Sequence, residues 1–529
     1  MSRRSIVLLT MVTLVAFVSG AWLLGRGASR SSEVYQRAQV FSSVIQRVAD
    51  LYVDSLEKGQ LYDLAIDGML KNLGDPYTGF LRADDLDELT LITRGDYAGL
   101  GVRIEVTDGW LTVVTPLIGT PAEEAGIEPG DRIVEVEGVS TFGWSSEKAT
   151  ASLRGEAGTA VSLTVMRSGL PRPLRFDIER GQIRVSSVRH VALVAPSVGY
   201  VHLETVGARS ADELREAITK LRNDGARALI LDVRFNPVGL LDQGVAVSDL
   251  FLDRGEVVLT THGRAAGTSR SYDATARQEW GDMPLVVLVN EFSASAAEIV
   301  AGALQDHDRA LVLGRPSFGK GVVQAVFQIG PSEALRLTTS RWFTPSGRSI
   351  HRERDEGTPE LPVPGSSPDS LAVASEFRSD AGRALTGGGG IHPDIVIAAD
   401  TVTTAERRFQ TQLGSNLQGF FDVVSSYALE LREELQSSDP DSFEVTAAMR
   451  SDLLRRIRAR DVRMPNAIWN GAIDIVNAEL HRRTLRYVFG RDAEMQYHVA
   501  NDGMVSLAVE MLAGVGSQEE LFELAGQSR

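Results

Sequence analysis

From Tyr200 to Leu304 the chain alternates short aliphatic runs with segments of helical periodicity, and this order limits the fold more than any other feature. The runs are YVHLETV, ALILDVR and PLVVLVN; between and after them helices are expected at Ala211 to Asn223, Leu241 to Leu250 and Ser295 to Leu304. Strands that are apolar on both faces and separated by helices form an α/β layer in which the sheet is buried. This layer is taken to span 179–403.

The periodicity changes on either side of it. Residues 27–94 read as helical, with Val34, Ala38, Phe41, Val44, Ile45, Val48 and Leu51 at helical spacing and a stop at Gly74-Asp75-Pro76. Residues 95–178 carry strand alternation in GVRIEV, LTVVTPL, RIVEVEGV and VSLTVMR, with one helical stretch from Ser145 to Leu153. Residues 404–529 are again helical and amphipathic and hold no motif.

The first 26 residues stand apart. Arg3 and Arg4 precede a run from Ser5 to Gly25 without a charged residue, which is longer than the apolar core of a secretory signal and long enough for a spanning helix. With arginines on the short leading side, everything after Arg26 is expected outside the cytoplasm. In a bacterial cell this describes a single-pass protein of the inner membrane with its body in the periplasm. Small residues at Val18-Ser19-Gly20 leave signal cleavage and release to the periplasm as the alternative.

Composition narrows the chemistry. Lys and Arg total 54 against 70 Asp and Glu, a net charge of −16, which argues against a generic nucleic-acid binder. The absence of cysteine excludes a disulfide framework, a Cys-ligated zinc site and a thiol nucleophile. Only five of the 54 cations are lysines: Lys58, Lys71, Lys148, Lys220 and Lys320. In a chain that otherwise uses arginine, a lysine is the residue that can give up its proton when desolvated.

In the β-rich block, Tyr97-Ala98-Gly99-Leu100-Gly101-Val102 places two glycines before a strand, and such a loop can turn backbone N–H groups toward a carboxylate. G-L-G-V, P-A-x-x-A-G-I and G-D-x-I follow in order, and with them residues 95–178 resemble a PDZ domain. The resemblance implies that a peptide carboxyl terminus adds as a strand beside Val102 to Ile104, its carboxylate held by the N–H groups of Leu100, Gly101 and Val102.

The segment from Leu285 to Gln324 is the candidate for chemistry. Ser293 and Ser295 sit where a strand turns into a helix; either can be a simple helix cap, but a serine there also lies beside N–H groups able to stabilise an oxyanion. His307, in Gln305-Asp306-His307-Asp308, reads as a surface turn residue. Lys320 is the better base: Gly319 and Gly321 flank it, Lys320, Val322 and Gln324 fall on one face of an expected strand, and the apolar Val322, Val323, Ala325, Val326 and Phe327 argue for burial. Gln324 can then orient the amine.

S-A-S-A-x-E-I-x-A-G-A-L-Q-D, R-A-x-x-x-G, F-G-K-G-x-V-Q and F-T-P-S-G-R-S-I, with D-P-Y-T-G-F-L at Asp75 to Leu81, resemble the carboxyl-terminal processing, or tail-specific, proteases over about residues 60–400. The resemblance implies a multidomain α/β protein: a protease core with a crotonase/Clp-like layer, an inserted PDZ domain, and helical regions at both ends. It implies a serine endopeptidase with a Ser–Lys dyad, Ser295 as nucleophile, Lys320 as base, Gln324 orienting it and Glu298 supporting. Gly239 and Ala296 would supply the backbone oxyanion donors. No metal or organic cofactor is required. The partners implied are proteins or peptides with free C-termini, an adaptor or a second copy of the chain, and no nucleic acid.

Two departures qualify the resemblance. The family's D-x-R-x-N-P-G-G loop stands here as Asp232 to Gly239 with Val238 at the first glycine, and a β-branched residue resists positive φ, so a shifted loop is expected. A Pro-, Ser-, Glu- and Gly-rich insertion at about 352–389 is expected to be a flexible flap or a disordered loop. A peptide-binding scaffold without activity, for which Val238 is the only support, and a ligand carrier on the same fold are the other readings; the intact Ser, Lys and Gln set argues against the carrier.

Overall fold

The computed structural model describes residues 34–83, 85, 86, 89, 93, 95–117, 119–167, 170, 172–353, 373–398, 403–435, 437–460 and 462–527. The apolar run of residues 5–25, and residues 354–372 of the insertion, lie outside the described residues. Among the described residues no helix is long and apolar enough to cross a membrane.

The chain divides into two compact units, one holding the residues through Arg82 together with Val326–Leu337. That unit has a helix over 34–51, a second at Lys58–Lys71 and a strand at Gly79–Leu81, which pairs antiparallel with Ala334 to Arg336. The D-P-Y-T sequence makes the turn between helix and strand. The Asp75 carboxylate accepts from Tyr77 N at 3.0 Å and Thr78 Oγ1 at 2.6 Å, an aspartate bonding its own following backbone.

The larger unit begins with an antiparallel sheet of β1 (Val102–Thr107), β2 (Trp110–Pro116), β3 (Arg132–Val136), β4 (Ala160–Met166) and β5 (Leu174–Glu179), in that order, with β1 at an edge. Helix α1 (Ser146–Leu153) starts where Ser145 Oγ accepts from Lys148 N, and it closes a small core of Leu111, Val113, Ile133, Leu163 and Val165.

The α/β layer follows as expected. β6 (Val188–Ala195), β7 (Val198–Leu203), β8 (Ala228–Asp232), β9 (Leu285–Val289) and β10 (Leu311–Gly314) lie side by side, and Ile395–Val396 extends the sheet; all pair in parallel except β6 with β7. Helices α2 (Ser210–Asn223), α3 (Leu241–Asp249) and α4 (Ala296–Asp306) connect or flank the strands. Because side chains alternate along a strand, each strand feeds two cores. Val201, Leu231 and Val287 join Leu214, Ile218 and Val300 on one face, whereas Tyr200, Ile230, Val286 and Leu288 face away from them.

That second face is covered from far along the chain. α5 (Gly503–Leu512) and α6 (Gln518–Gln527) lay Val505, Ala508, Met511, Leu512 and Leu521 on it. The helices from Thr404 to Thr484 build a core of their own around Phe420, Val424, Leu453, Trp469 and Leu480. They also meet the antiparallel sheet: Arg483 pairs with Glu105 at 3.0 Å, Arg432 with Glu128 and Arg460 with Asp108.

One expectation is met by the described residues only in part, and another changes. Within the insertion, the described residues 373–389 hold a hairpin, Val373–Arg378 with Ala384–Gly387. It is tied back by Gly388 N to Ser349 O at 2.7 Å and Asp380 N to Asp306 O at 2.9 Å. His307 is no surface turn residue: its side chain is 9% exposed, with Nδ1 2.7 Å from Asp380 and Nε2 2.8 Å from Val257 O. Burial works against charging this ring, but the carboxylate and carbonyl outweigh it and raise its pKa above the ordinary value.

Candidate active site

Asn290 follows strand β9, and the chain turns within five residues into α4. Ser295 takes the turn as N-cap with φ 58° and ψ −116°, a left-handed backbone that costs a non-glycine residue about 1–3 kcal/mol and survives only where its surroundings hold it. Here they do. Ser293 is buried, accepting from Asn290 N at 3.0 Å and donating to Val233 O at 2.9 Å, so it belongs to the turn and is not free to react. Ala294 N donates to Asn236 O at 2.9 Å. Ser295 alone of the two serines is partly accessible.

Glu298, one helical turn on, is fully buried and binds two distant segments together. Its Oε2 accepts from Ser295 N at 2.9 Å and from Lys320 N at 2.8 Å; its Oε1 accepts from Gly319 N at 2.6 Å and Ser317 Oγ at 2.5 Å. Burial pushes this carboxyl above the usual carboxylate range, and the four donors pull against that shift. Phe318 N adds a bond to Ser293 O at 3.0 Å. The backbones at Ser295 and Lys320, 25 positions apart in sequence, are thus held on one oxygen atom.

Lys320 is 7% exposed. The strand expected to carry it starts two residues later, at Val322–Gly330, and Gln324 sits half-buried on that strand. Of the apolar residues read as burying the lysine, Val322 is buried but Val326 and Phe327 are 46% and 45% exposed. The backbone at the lysine is held by buried Trp342, whose Nε1 donates to Lys320 O at 3.1 Å and whose backbone N donates to Gly321 O at 3.0 Å. A run of apolar residues shows that a strand has a hydrophobic side, not what covers its start.

The loop after β8 faces the helix terminus. Asp232 and Arg234 form a buried pair at 2.6 Å, with Tyr200 Oη donating to Asp232 at 2.7 Å. Asn290 Oδ1 accepts from both Phe235 N and Phe292 N at 3.1 Å, tying this loop to the serine turn. Asn290 was not singled out from sequence; a polar residue closing the buried run PLVVLV was its only signal. Val238 itself does not take a positive φ; the left-handed position of this loop falls at Phe235 (φ 56°). Gly239 bridges to Val206 and packs so tightly that a Cβ there would meet Ala296 Cβ at 2.5 Å and Val206 Cβ at 2.7 Å. Among the described residues, Gly239 N and Ala296 N donate to no acceptor. This leaves two neighbouring N–H groups beside Ser295 of the kind that stabilise developing negative charge.

In the antiparallel domain, Leu100 O accepts from Ala122 N at 2.9 Å and Gly101 O from Leu117 N at 2.8 Å. Gly101 has φ +73° and lies against Thr120, leaving no room for a side chain. The N–H groups of Leu100 and Gly101 donate to nothing among the described residues, and Val102 opens the edge strand beside them.

A PDZ domain joined to an α/β core that presents a serine at a strained helix terminus defines a serine-type peptidase with a peptide-binding module. Family models match accordingly: peptidase family S41 at residues 197–362, a PDZ domain at 112–167, and an activating protease CtpB N-terminal domain at 24–85. The carboxy-terminal-processing protease of Bartonella bacilliformis is 37% identical over 348 residues, covering 64% of this chain and 79% of that protein. The carboxy-terminal processing protease CtpA of Bacillus subtilis is 28% identical over 469 residues, 88% of this chain and 97% of that one. Among solved structures, a photosystem II D1 C-terminal processing protease is 32% identical with a TM-score of 0.34, covering 60% of this chain and 86% of that one. The chain belongs to the carboxy-terminal processing proteases of peptidase family S41 and is a serine peptidase of that type.

Proposed function

We propose that Ser295 is the nucleophile and the neutral amine of Lys320 its general base. Lys320 takes the Ser295 hydroxyl proton as Oγ bonds to the scissile carbonyl carbon. The oxyanion rests on the N–H groups of Ala296 and Gly239. Collapse breaks the C–N bond, the amine leaves with the proton returned by Lys320, and the acyl group stays on Ser295. Water then attacks with Lys320 again accepting a proton, and the acid product leaves as Oγ regains its own. Gln324 orients the amine, and Glu298 positions both partners without touching the substrate.

The observation that carries this reading is the single Glu298 oxygen that accepts from the backbones of both Ser295 and Lys320. The substrate's C-terminal carboxylate is held at Leu100, Gly101 and Val102, and the chain beyond it is delivered to Ser295. On the same reading the run of residues 5–25 anchors the protein in the inner membrane with its body in the periplasm, supported by the length of that run and the arginines before it.

The test is digestion of an unfolded protein by the full chain in mild detergent. Ser295→Ala and Lys320→Ala, with circular dichroism matching the parent, are each expected to cut at least about a thousandfold more slowly. Cleavage at the parent rate by either variant refutes the assignment.

A further inference from the structure

The groove beside β1 carries positive charge that the chain leaves unanswered. β1 is an edge strand, and with α1 it walls a cavity of about 210 Å³ lined by Tyr97, Leu100, Val102, Arg103, Leu153 and Arg154, among others, with no carboxylate in the lining. Arg154 lies over the Tyr97 ring at 5.1 Å. Among the described residues neither Arg103 nor Arg154 forms an ion pair or donates a side-chain hydrogen bond.

Val102 and Ile104 pack toward the domain core, so alternation turns Arg103 to the other face of β1, within electrostatic reach of Arg486 and Arg491. Arg486 is matched by Glu105 at 3.6 Å and by Glu494 at 2.7 Å. Arg491 adjoins Asp492, yet its Nη2 is buried without a partner. Glu494, the carboxylate felt by both Arg103 and Arg491, is already bound by Arg482 and Arg486. Burial, with Arg103 next to it, pushes Arg491 down to about 10, and burial beside Arg486 lowers Arg103. Half-buried guanidinium groups that lack a counterion favour an incoming carboxylate.

Given the reading of this groove as a carboxyl-terminus site, strand geometry decides which side chain meets Arg103. A terminus held at the N–H groups of Leu100 and Gly101 runs antiparallel to β1. Its last side chain falls on the face of Val102 and the penultimate one on the face of Arg103. We propose that the groove selects protein C-termini with Asp or Glu in the penultimate position, read by Arg103 with Arg491.

The test uses the full chain carrying Ser295→Ala, so that bound peptides stay intact, and fluorescence anisotropy with decapeptides ending in Glu-Ala, Gln-Ala or Lys-Ala, plus the Glu-Ala peptide as its C-terminal amide. Glu-Ala is expected to bind about fivefold to tenfold more tightly than Gln-Ala, and Lys-Ala more weakly than either. Adding Arg103→Gln should bring Glu-Ala and Gln-Ala to within about twofold of each other. Equal Kd values for these two peptides on the Ser295→Ala protein with Arg103 intact overturn the proposal, and that comparison needs no substitution at Arg103. A preference that persists in both Arg103→Gln and Arg491→Gln also overturns it. The amide separates the two levels: if it binds as tightly as the free acid, the carboxyl-terminus reading itself fails. If amidation weakens binding but Glu-Ala and Gln-Ala remain equal, only the charge selection falls.

Discussion

A single buried carboxylate at position 298 satisfies four donors from two segments, and its removal strands all four. Each buried donor left unpaired costs about 1–3 kcal/mol, partly relieved where water enters. Glu298→Ala is therefore expected to lower unfolding stability by about 3–5 kcal/mol in urea titrations. It should also reduce kcat with little change in KM, because Glu298 aligns the two reactive segments and does not touch the peptide. Glu298→Gln keeps one acceptor oxygen and should lose less of both. The strand-to-helix turn pointed to Ser293 or Ser295 and the family resemblance chose between them, whereas Lys320 stood out by itself as a lone lysine between glycines. Glu298 was legible only as a helical neighbour of Ser295. Its hold on Lys320 depends on the return of residues 317–320 to the helix terminus, a long-range closure that local spacing does not encode.

Helix α4 is buried along its whole length, which suits its small residues and leaves its last turn with an acid to neutralise. Asp306 is answered by Arg348 at 2.6 Å, and both side chains are at most 1% exposed; Arg348 also donates to Gln305 and to Thr386 O. Removing one partner of such a pair leaves an uncompensated buried charge, so Arg348→Ala is expected to cost about 3–5 kcal/mol. The measurement is a shift of the urea midpoint without a change in slope. At this scale the sequence was most informative where strands are apolar on both faces. The runs at Tyr200, Ala228 and Leu285 became β7, β8 and β9 with boundaries close to those expected. It was least informative at Val322 to Gly330, where apolar residues face outward, and at the insertion, whose composition suggested a loop but whose described part is a hairpin held against Asp306.

Across the larger unit, the tail that carried no motif completes the protease core. α5 and α6 cover the face of the sheet formed by Tyr200, Ile230, Val286, Leu288, Leu311 and Leu313, and Arg234 pairs with the α5 cap residue Asp502 at 2.9 Å. Burying one aliphatic side chain is worth about 1.5–3 kcal/mol, so uncovering this face exceeds the stability of an ordinary domain. A chain ending at residue 498 is expected to aggregate or sediment as unfolded material, whereas a monodisperse, protease-resistant product would show that the tail is dispensable. Amphipathic periodicity predicted these helices but not their destination, since nothing local says which face of a sheet far earlier in the chain a helix will cover. Turnover on the proposed mechanism requires Lys320, 7% exposed, to lose a proton. Lys320→Arg keeps hydrogen-bond donors at this position but carries a fixed positive charge and cannot act as a base near neutral pH. With protein substrate and a fold matching the parent, its turnover is predicted to fall at least about a thousandfold, as for Ser295→Ala. Turnover within about tenfold of the parent would contradict the assignment of Lys320 as base.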